Sequence, residues 1–358
     1  MQRVIFRTFL SAVAYCIVTT ICVFSQFDVH IEPQVDSTRI KPLLDIVNDN
    51  PGTVRGAEAH YEIAMLHFNA RAYTTAADEF QKVVQNYPVF QLTADAQYHL
   101  ARSYSRLYRD DDAIAAARVV VAQFPAQKKW RDEALNLIGW SYYIQGKYTY
   151  AIREFENIVK NYPDCYYADD AWMKIGRSYK KLGMYDQAIE AFSKVITDFP
   201  PNNHQNEAQL EIGFLHMMRG REDSALEELQ KVIDLYPSEK GKSKAQYEIG
   251  NILFGMRKYE EAVEAYKRVV DLYPEEQVAP YASFRVGYCL MLMEDYEQAV
   301  QAFAQTDNSY PDFANRDWLL FFWGRSLQRN GDESHAGLIY DILVSEFPGS
   351  NLINSINR

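Results

Sequence analysis

Apolar and polar residues alternate with helical periodicity in two consecutive segments of residues 169–200. In the first segment, Asp169 to Gly183, apolar side chains recur at the spacing of one helix face. Asp169 and Asp170 suit the positive end of a helix dipole, and Gly183 suits a helix end. The second segment begins at Tyr185 and closes at Pro200, which cannot continue a helix. The pattern predicts two amphipathic helices joined as a hairpin.

The closing proline of this hairpin recurs along most of the chain. The marks are Pro51, Pro88, Pro125, Pro163, Pro200, Pro237, Pro274, Pro311 and Pro348. Seven of the eight gaps are 37 residues, the other is 38, and from Pro88 onward an aromatic residue always precedes the proline. A fixed period of this size predicts a solenoid of stacked helix hairpins.

Two columns of small residues predict how each hairpin closes. Twelve residues before each proline stand Ala76, Ala113, Ala151, Ala188, Ala225, Ala262, Ala299 and Ala336. Twenty-four before stand Ala64, Ala101, Gly139, Gly176, Gly213, Gly250, Gly287 and Gly324. Glycine inside a helix costs about 1 kcal/mol relative to alanine, so its recurrence indicates a close helix crossing. Large residues eight before the proline, such as Phe155 and Phe192, are expected to fill the crossing.

These positions carry a family resemblance. The residues that match are Trp172, Ile175, Gly176, Tyr179, Ala188, Phe192 and Pro200. They resemble the tetratricopeptide repeat, and the aromatic-proline ending is similar to the secreted bacterial branch that serves the Tol-Pal system and outer-membrane β-barrel assembly. The resemblance implies an all-α, right-handed solenoid of eight hairpin repeats plus an N-terminal half repeat. It also implies a non-enzymatic scaffold that binds protein segments in a concave groove lined by the first helix of each hairpin. Envelope assembly or division is the expected role.

The N-terminal 25 residues differ from the rest. Arg3 and Arg7 precede an uncharged run from Thr8 to Phe24, and Val23 and Ser25 suit cleavage before Gln26. This order predicts a signal peptide and an exported, periplasmic chain, with the periplasmic face of the outer membrane as one location. The alternative is an uncleaved anchor, for which 17 residues are borderline.

The repeat phase then divides the remainder of the chain. The predicted segments are 1–25 signal peptide, 26–38 extended tail, 39–51 capping helix, repeats at 52–88, 89–125, 126–163, 164–200, 201–237, 238–274, 275–311 and 312–348, and 349–358 C-terminal tail.

Composition narrows the functional classes. The formal net charge of −11 disfavours nucleic acid and anionic lipid as partners. No catalytic motif occurs, and His60 and His67 stand about two turns apart, too far for one metal ion. We therefore predict no enzyme activity, cofactor or metal. Cys165 and Cys289 fall three repeats apart and are expected to be free thiols.

The outward side of each first helix predicts the partner site. The candidate groove residues are apolar: Leu210, Phe214, Met217, Met218, Tyr247, Phe254, Phe284, Tyr288, Met291 and Leu292. A candidate basic patch precedes them: Arg102, Arg106, Arg177, Lys180 and Lys181. Methionine beside aromatic residues is typical of adaptable peptide grooves. The alternative interpretation is that these side chains pack against the neighbouring repeat.

A different function is open at the C-terminal end. The run from Trp318 to Gly324 is apolar on every face, and only ten residues follow Pro348 to cover it. A structural subunit could therefore self-associate there through Trp318, Phe321, Phe322 and Trp323.

Overall fold

The computed structural model describes residues 33, 35–199 and 203–356, and every regular element in these ranges is helical. The predicted signal peptide and Pro200 lie outside the described residues. The α-helices are α1 Ser37–Asp49, α2 Val54–Asn69, α3 Tyr73–Asn86, α4 Thr93–Arg106, α5 Asp110–Gln123, α6 Lys128–Ile144, α7 Tyr148–Asn161, α8 Ala168–Lys181, α9 Tyr185–Asp198, α10 Asn203–Met218, α11 Glu222–Leu235, α12 Glu239–Gly255, α13 Tyr259–Leu272, α14 Ala279–Leu292, α15 Tyr296–Ser309, α16 Arg316–Arg329 and α17 Glu333–Glu346. A short 3₁₀ helix follows at Ile353–Ser355.

The chain divides into two compact units. Unit 1 ends at Gln145 and contains α1–α6, and unit 2 begins at Gly146 and contains α7–α17. Within each unit, every helix packs against the next one along the chain. This succession of helix hairpins confirms the predicted fold class. None of the helices in the described ranges is both long and apolar enough to span a bilayer.

The small-residue column explains the tight closure of the hairpins. A Cβ atom placed on Gly176 would lie 2.7 Å from Cε1 of Phe192, closer than real Cβ atoms approach their neighbours. The same relation joins Gly213 to Leu229, Gly250 to Tyr266, Gly287 to Phe303 and Gly324 to Tyr340. The large side chains are buried, each at 7% exposure or less. At these five positions an added Cβ atom would therefore force the large side chain of the second helix to shift.

The two ends of the chain are covered differently from expectation. Helix α1 begins at Ser37, so the last two residues of the predicted extended tail are helical. At the other end, Leu352, Ile353 and Ile356 pack against the core of the last hairpin. Ser350 Oγ also donates a hydrogen bond to Asp317 Oδ2 at 2.8 Å. The C-terminal residues therefore fold back and cover part of this core.

Cys165 and Cys289 do not form a disulfide, as predicted, and both are buried. Cys289 has no exposed surface, and Cys165 is 5% exposed.

Candidate protein-binding surface

The first helices of the hairpins in unit 2 lie side by side. Helix α8 contacts α10, and the contacts continue from α10 to α12, from α12 to α14 and from α14 to α16. We call the surface formed by these five helices the inner face. Residues four apart lie on the same side of a helix. The residues 23 and 19 positions before each repeat proline therefore share one side of each inner helix, and we use them to mark the solvent-facing side of the inner face.

The predicted groove residues occupy this face with different exposure. Met218 is 51% exposed and Leu292 is 38% exposed. The residues of the set that are half-buried against the core are Phe214, Met217, Tyr247, Phe254, Phe284, Tyr288 and Met291. Together with Met218 and Leu292 they form an apolar floor. Met218 and Leu292 are its exposed members and could contact a partner directly.

The prediction that Leu210 lines the groove is wrong, because this residue is only 7% exposed. It packs in the core together with Ala245 and Ile249 of α12. Its position, 27 residues before the proline, is also buried at Tyr98, Met173 and Phe321. Leu210 is therefore removed from the predicted groove lining, whereas Tyr247 and Phe284, which stand at the same register position, are only half-buried against the core.

An aromatic row crosses the inner face toward the C-terminal end. The ring centroids of Phe254 and Tyr288 lie 5.9 Å apart, and those of Tyr288 and Phe322 lie 4.8 Å apart. The row ends at Trp318, whose ring is 5.8 Å from that of Phe322. Such centroid separations are typical of favourable aromatic pairs. The row joins the predicted groove to part of the predicted self-association cluster.

That cluster is not uniformly available to a second copy. Trp318 is 45% exposed, but Phe321 is only 6% exposed and belongs to the core of the last hairpin. Phe322 and Trp323 are half-buried against the cores on both sides. Phe321 is therefore removed from the predicted self-association surface.

The basic patch predicted in repeat four is largely neutralised. Arg177 Nη2 donates to Glu207 Oε1 at 2.6 Å, and Lys180 Nζ donates to Glu211 Oε2 at 2.6 Å. Both carboxylates belong to α10, so the pairs link consecutive inner helices. Lys181 is exposed. Arg102 and Arg106 belong to unit 1 and lie in a separate cleft.

That cleft has a volume of about 460 Å³ and is formed by α4, α6 and the turn after α4. Its lining residues are Tyr98, Arg102, Ser105, Arg106, Tyr108, Glu133, Asn136, Leu137, Trp140 and Ile144. The Arg102 guanidinium lies over the rings of Phe68 and Tyr98, at 5.2 Å and 5.7 Å from their centroids. Tyr98 Oη donates to Glu133 Oε2 at 2.7 Å. The cleft thus combines cations, one carboxylate and exposed apolar surface.

A second pocket of about 330 Å³ lies at the repeat-eight end of the inner face. It is lined by Met291, Glu294, Tyr296, Phe321, Phe322, Arg325 and Arg329. The Arg325 guanidinium lies 5.5 Å from the centroid of the Phe321 ring. Arg325 and Arg329 occupy the same two register positions in their repeat as Arg102 and Arg106 in theirs.

Sequence reasoning missed several residues of these two pockets. Trp140, Ile144, Arg325 and Arg329 all stand 23 or 19 residues before a repeat proline, so the same register would have found them. Tyr108 is different, because it lies in the turn after α4, where the helical register gives no signal. It is 87% exposed and adopts a positive φ of 58°.

The described residues contain no group of three or more His, Cys, Asp or Glu side chains placed to hold a metal ion. Both pockets are lined by arginines, aromatic rings, apolar side chains and one glutamate each.

Comparison with known families matches this organisation. A family model described as outer membrane lipoprotein matches residues 55–186. Models of the tetratricopeptide repeat match residues 173–240, 243–276 and 281–312. No curated protein matches the chain.

Several solved structures are similar to the chain. The C-terminal part of a TPR repeat-containing protein from Cytophaga hutchinsonii is 16% identical, with a TM-score of 0.55, and the match covers 73% of this chain and 99% of that one. A tetratricopeptide repeat protein from Parabacteroides merdae is 14% identical, with a TM-score of 0.44 and coverage of 81% and 100%. PilW, a type IV pilus biogenesis factor, is 18% identical, with a TM-score of 0.45 and coverage of 63% and 98%. The repeat models place tetratricopeptide repeats at residues 173–240, 243–276 and 281–312, and the hairpins and the Cytophaga structure agree that the chain has the tetratricopeptide-repeat fold.

Proposed function

We propose that this chain is a non-enzymatic scaffold of the bacterial cell envelope that binds a segment of a partner protein on the inner face of unit 2. The observation that carries the proposal is the exposure of Met218 and Leu292 at the edge of a continuous apolar floor. Exposed apolar surface costs roughly 25 cal/mol per Å², and an apolar partner would remove that cost. Single exposed leucines also occur elsewhere, but an apolar strip on one face is typical of a binding site.

The shape of the floor suits a segment rather than a small molecule. The aromatic row links α12, α14 and α16 laterally, so the floor runs across the helices instead of forming one enclosed cavity. Lys244 Nζ lies 5.0 Å from the centroid of the Phe214 ring and continues the surface from α12 to α10. A partner segment lying across several repeats can contact each inner helix in turn.

The envelope setting rests on two independent features. Residues 55–186 resemble the outer membrane lipoprotein family. Residues 1–25 have the order of a signal peptide in the sequence. Together they favour export and a role in envelope or outer-membrane assembly, or in division. N-terminal sequencing of the native protein in the envelope fraction should find Gln26 as the first residue. An intact residue 1 in a membrane pellet would contradict cleavage.

Site-directed photo-crosslinking tests the inner face. Benzoylphenylalanine would replace Met218 or Leu292 in the bacterium that encodes the chain, and adducts would be identified by mass spectrometry. Leu235 and Leu272 are matched controls, because they are 68% and 64% exposed on second helices. Discrete adducts to one protein from the inner positions and not from the controls are expected. Equal adducts from both sets, or none from the inner positions, would overturn the proposal.

Self-association through the C-terminal end is the second candidate, and the exposure of Trp318 favours it. Sedimentation equilibrium separates it from the first, since the chain has a mass of 41.5 kDa. A concentration-dependent mass that Trp318→Ala returns to the monomer would support self-association. A constant monomer mass would exclude it.

A further inference from the structure

The charges on the inner face are distributed unevenly from one end to the other. At the repeat-four end, Arg177 and Lys180 each form an ion pair with a carboxylate of α10. In repeat six, Glu248 accepts a hydrogen bond from Asn251 Nδ2 at 3.0 Å. These three carboxylates therefore already have partners, and Lys244, beside the Phe214 ring, is a cation in this part of the face.

The opposite end carries arginines instead. Arg285, Arg325 and Arg329 lie on α14 and α16, and within residues 203–356 no carboxylate comes within ion-pair distance of any of them. Glu294 is the carboxylate that lines the same pocket as Arg325 and Arg329. Even with Glu294 counted, this pocket has an excess of positive charge in a chain whose net charge is −11.

Aromatic rings hold two of these arginines in place. Arg285 lies 5.0 Å from the centroid of the Phe254 ring, and Arg325 lies 5.5 Å from that of Phe321. A ring face attracts the guanidinium but accepts no conventional hydrogen bond from it. The five N–H donors of each guanidinium therefore remain available, in a planar fork that matches a carboxylate.

We propose that the inner face of unit 2 binds its partner segment in one direction, with Asp or Glu residues at the repeat-eight end and apolar residues over the aromatic row toward repeat five. This proposal rests on the proposed function, since it assigns the chemistry and direction of the segment bound there. Inner helices about 8–10 Å apart place α10 and α16 about 24–30 Å apart. An extended segment of about seven to nine residues covers that distance.

A random library tests the composition of the segment. Phage displaying random 12-residue peptides would be selected on the immobilised full-length chain, and the enriched peptides would be synthesised for affinity measurements. The enriched peptides should contain an apolar stretch with Asp or Glu concentrated at one end. Replacing those acids by Asn or Gln should weaken binding at least tenfold.

The double variant Arg325→Ala/Arg329→Ala tests whether the acidic end of the peptide binds in the pocket that these two arginines line. It should lose at least tenfold in affinity for the acidic peptides and bind their amide versions as the wild type does. The matched control, Lys267→Ala/Arg268→Ala on α13, should change neither affinity. If the double variant fails to fold, Arg329→Ala alone alters an exposed side chain and should give a smaller loss of the same kind.

The outcomes separate this proposal from the proposed function. Enriched apolar peptides without an acidic end, or acidic peptides that bind the double variant normally, would overturn the direction and leave the inner face as a peptide site. A crosslinker beside the acidic end that labels α8 or α10 instead of α16 would also overturn it. A library that yields no binding peptide would overturn both.

Discussion

The ring of Tyr266 lies directly against the backbone of Gly250, so that a Cβ atom at position 250 would stand 2.6 Å from Tyr266 Cε1. Tyr266 is fully buried, and its hydroxyl donates to Asn251 Oδ1 at 2.7 Å. The ring is therefore fixed both by packing and by its hydrogen bond. The contact sets the distance between α12 and α13, and the equivalent pairs set it in the neighbouring hairpins.

Gly250→Ala should consequently destabilise the protein by about 1–3 kcal/mol, because the added methyl group must displace the ring. Gly255→Ala is the matched control on the same helix, since nothing lies within 4 Å of a Cβ there. That change should leave stability equal or slightly higher. Urea unfolding of both variants measures the difference. Equal midpoints would mean that the column of small residues does not set the helix distance.

The turn between the helices of a hairpin has its own requirement. Gly183 has a φ of 73°, and Arg257, at the corresponding position of another repeat, has a φ of 61°. Left-handed backbone costs a residue with a Cβ roughly 1–2 kcal/mol. Nothing lies within 4 Å of a Cβ at Gly183, so Gly183→Ala should destabilise by about 1 kcal/mol through backbone strain alone.

The control for that strain is an exposed glycine inside a helix. Gly337 of α17 also has open space around a Cβ, but its φ is outside the left-handed region. Gly337→Ala should stabilise by about 0.5–1 kcal/mol, since alanine is the better helix former. The two substitutions are chemically identical and should shift the urea midpoint in opposite directions. Shifts of the same sign would contradict the assigned turn conformation.

The proline period predicts the hairpins because every local signal repeats in phase with it. Gly176 and Phe192 could be paired from the sequence, since both belong to columns of one repeat and one hairpin brings them together. Exposure on the inner face could not be predicted in the same way. Leu210 and Met218 look alike in the sequence, but the adjacent helix α12 covers only the first.

The ion pairs between inner helices could not be predicted from the sequence either. Arg177 and Glu207 are 30 residues apart, and whether they meet depends on how consecutive inner helices are turned toward each other. Repeat-level patterns fix the helix register but not that rotation. The same limit applies to the C-terminal residues, where Leu352 follows the last proline and no repeat remains to show which surface it covers.

A partly buried ion pair between α2 and α3 predicts acid sensitivity. Burial raises the pKa of Glu79, but hydrogen bonds from His60 and Lys82, each at 2.8 Å, outweigh it and lower the pKa to about 2. A depressed pKa stabilises the folded state above the unfolded value of 4.5, and that contribution is lost as the pH falls toward 2. Between pH 5 and 2.5, wild type should lose about 1 kcal/mol more stability than Glu79→Gln, because solvent screens the half-exposed Lys82. Glu62→Gln, at an exposed site on α2, is the control, and urea midpoints at both pH values decide.

The Cys289 thiol should be inert in the folded protein. It has no exposed surface, and burial raises its pKa to about 12, although the nearby Arg285 opposes the shift. Because the thiolate is the reactive form, iodoacetamide at pH 8 should leave Cys289 unmodified in the native chain and modify it in urea. Mass spectrometry of the labelled peptides gives the result. Rapid native labelling would show that α14 opens locally.

Tyr288 and Leu292 lie four residues apart on α14. Substituting each of them distinguishes a contribution to packing from a contribution to partner binding. The Tyr288 ring contacts Phe254, Phe284 and Phe322, whereas Leu292 is 38% exposed. Tyr288→Ala should cost about 2 kcal/mol of stability, because a half-buried ring leaves a gap in the row. Leu292→Ala should stay within about 0.5 kcal/mol but weaken partner binding about tenfold or more, as truncation of an interface anchor does. Urea midpoints and titration against the crosslinked partner measure the two effects. If Leu292→Ala binds normally and unfolds as early as Tyr288→Ala, this side of α14 is core and the partner surface lies elsewhere.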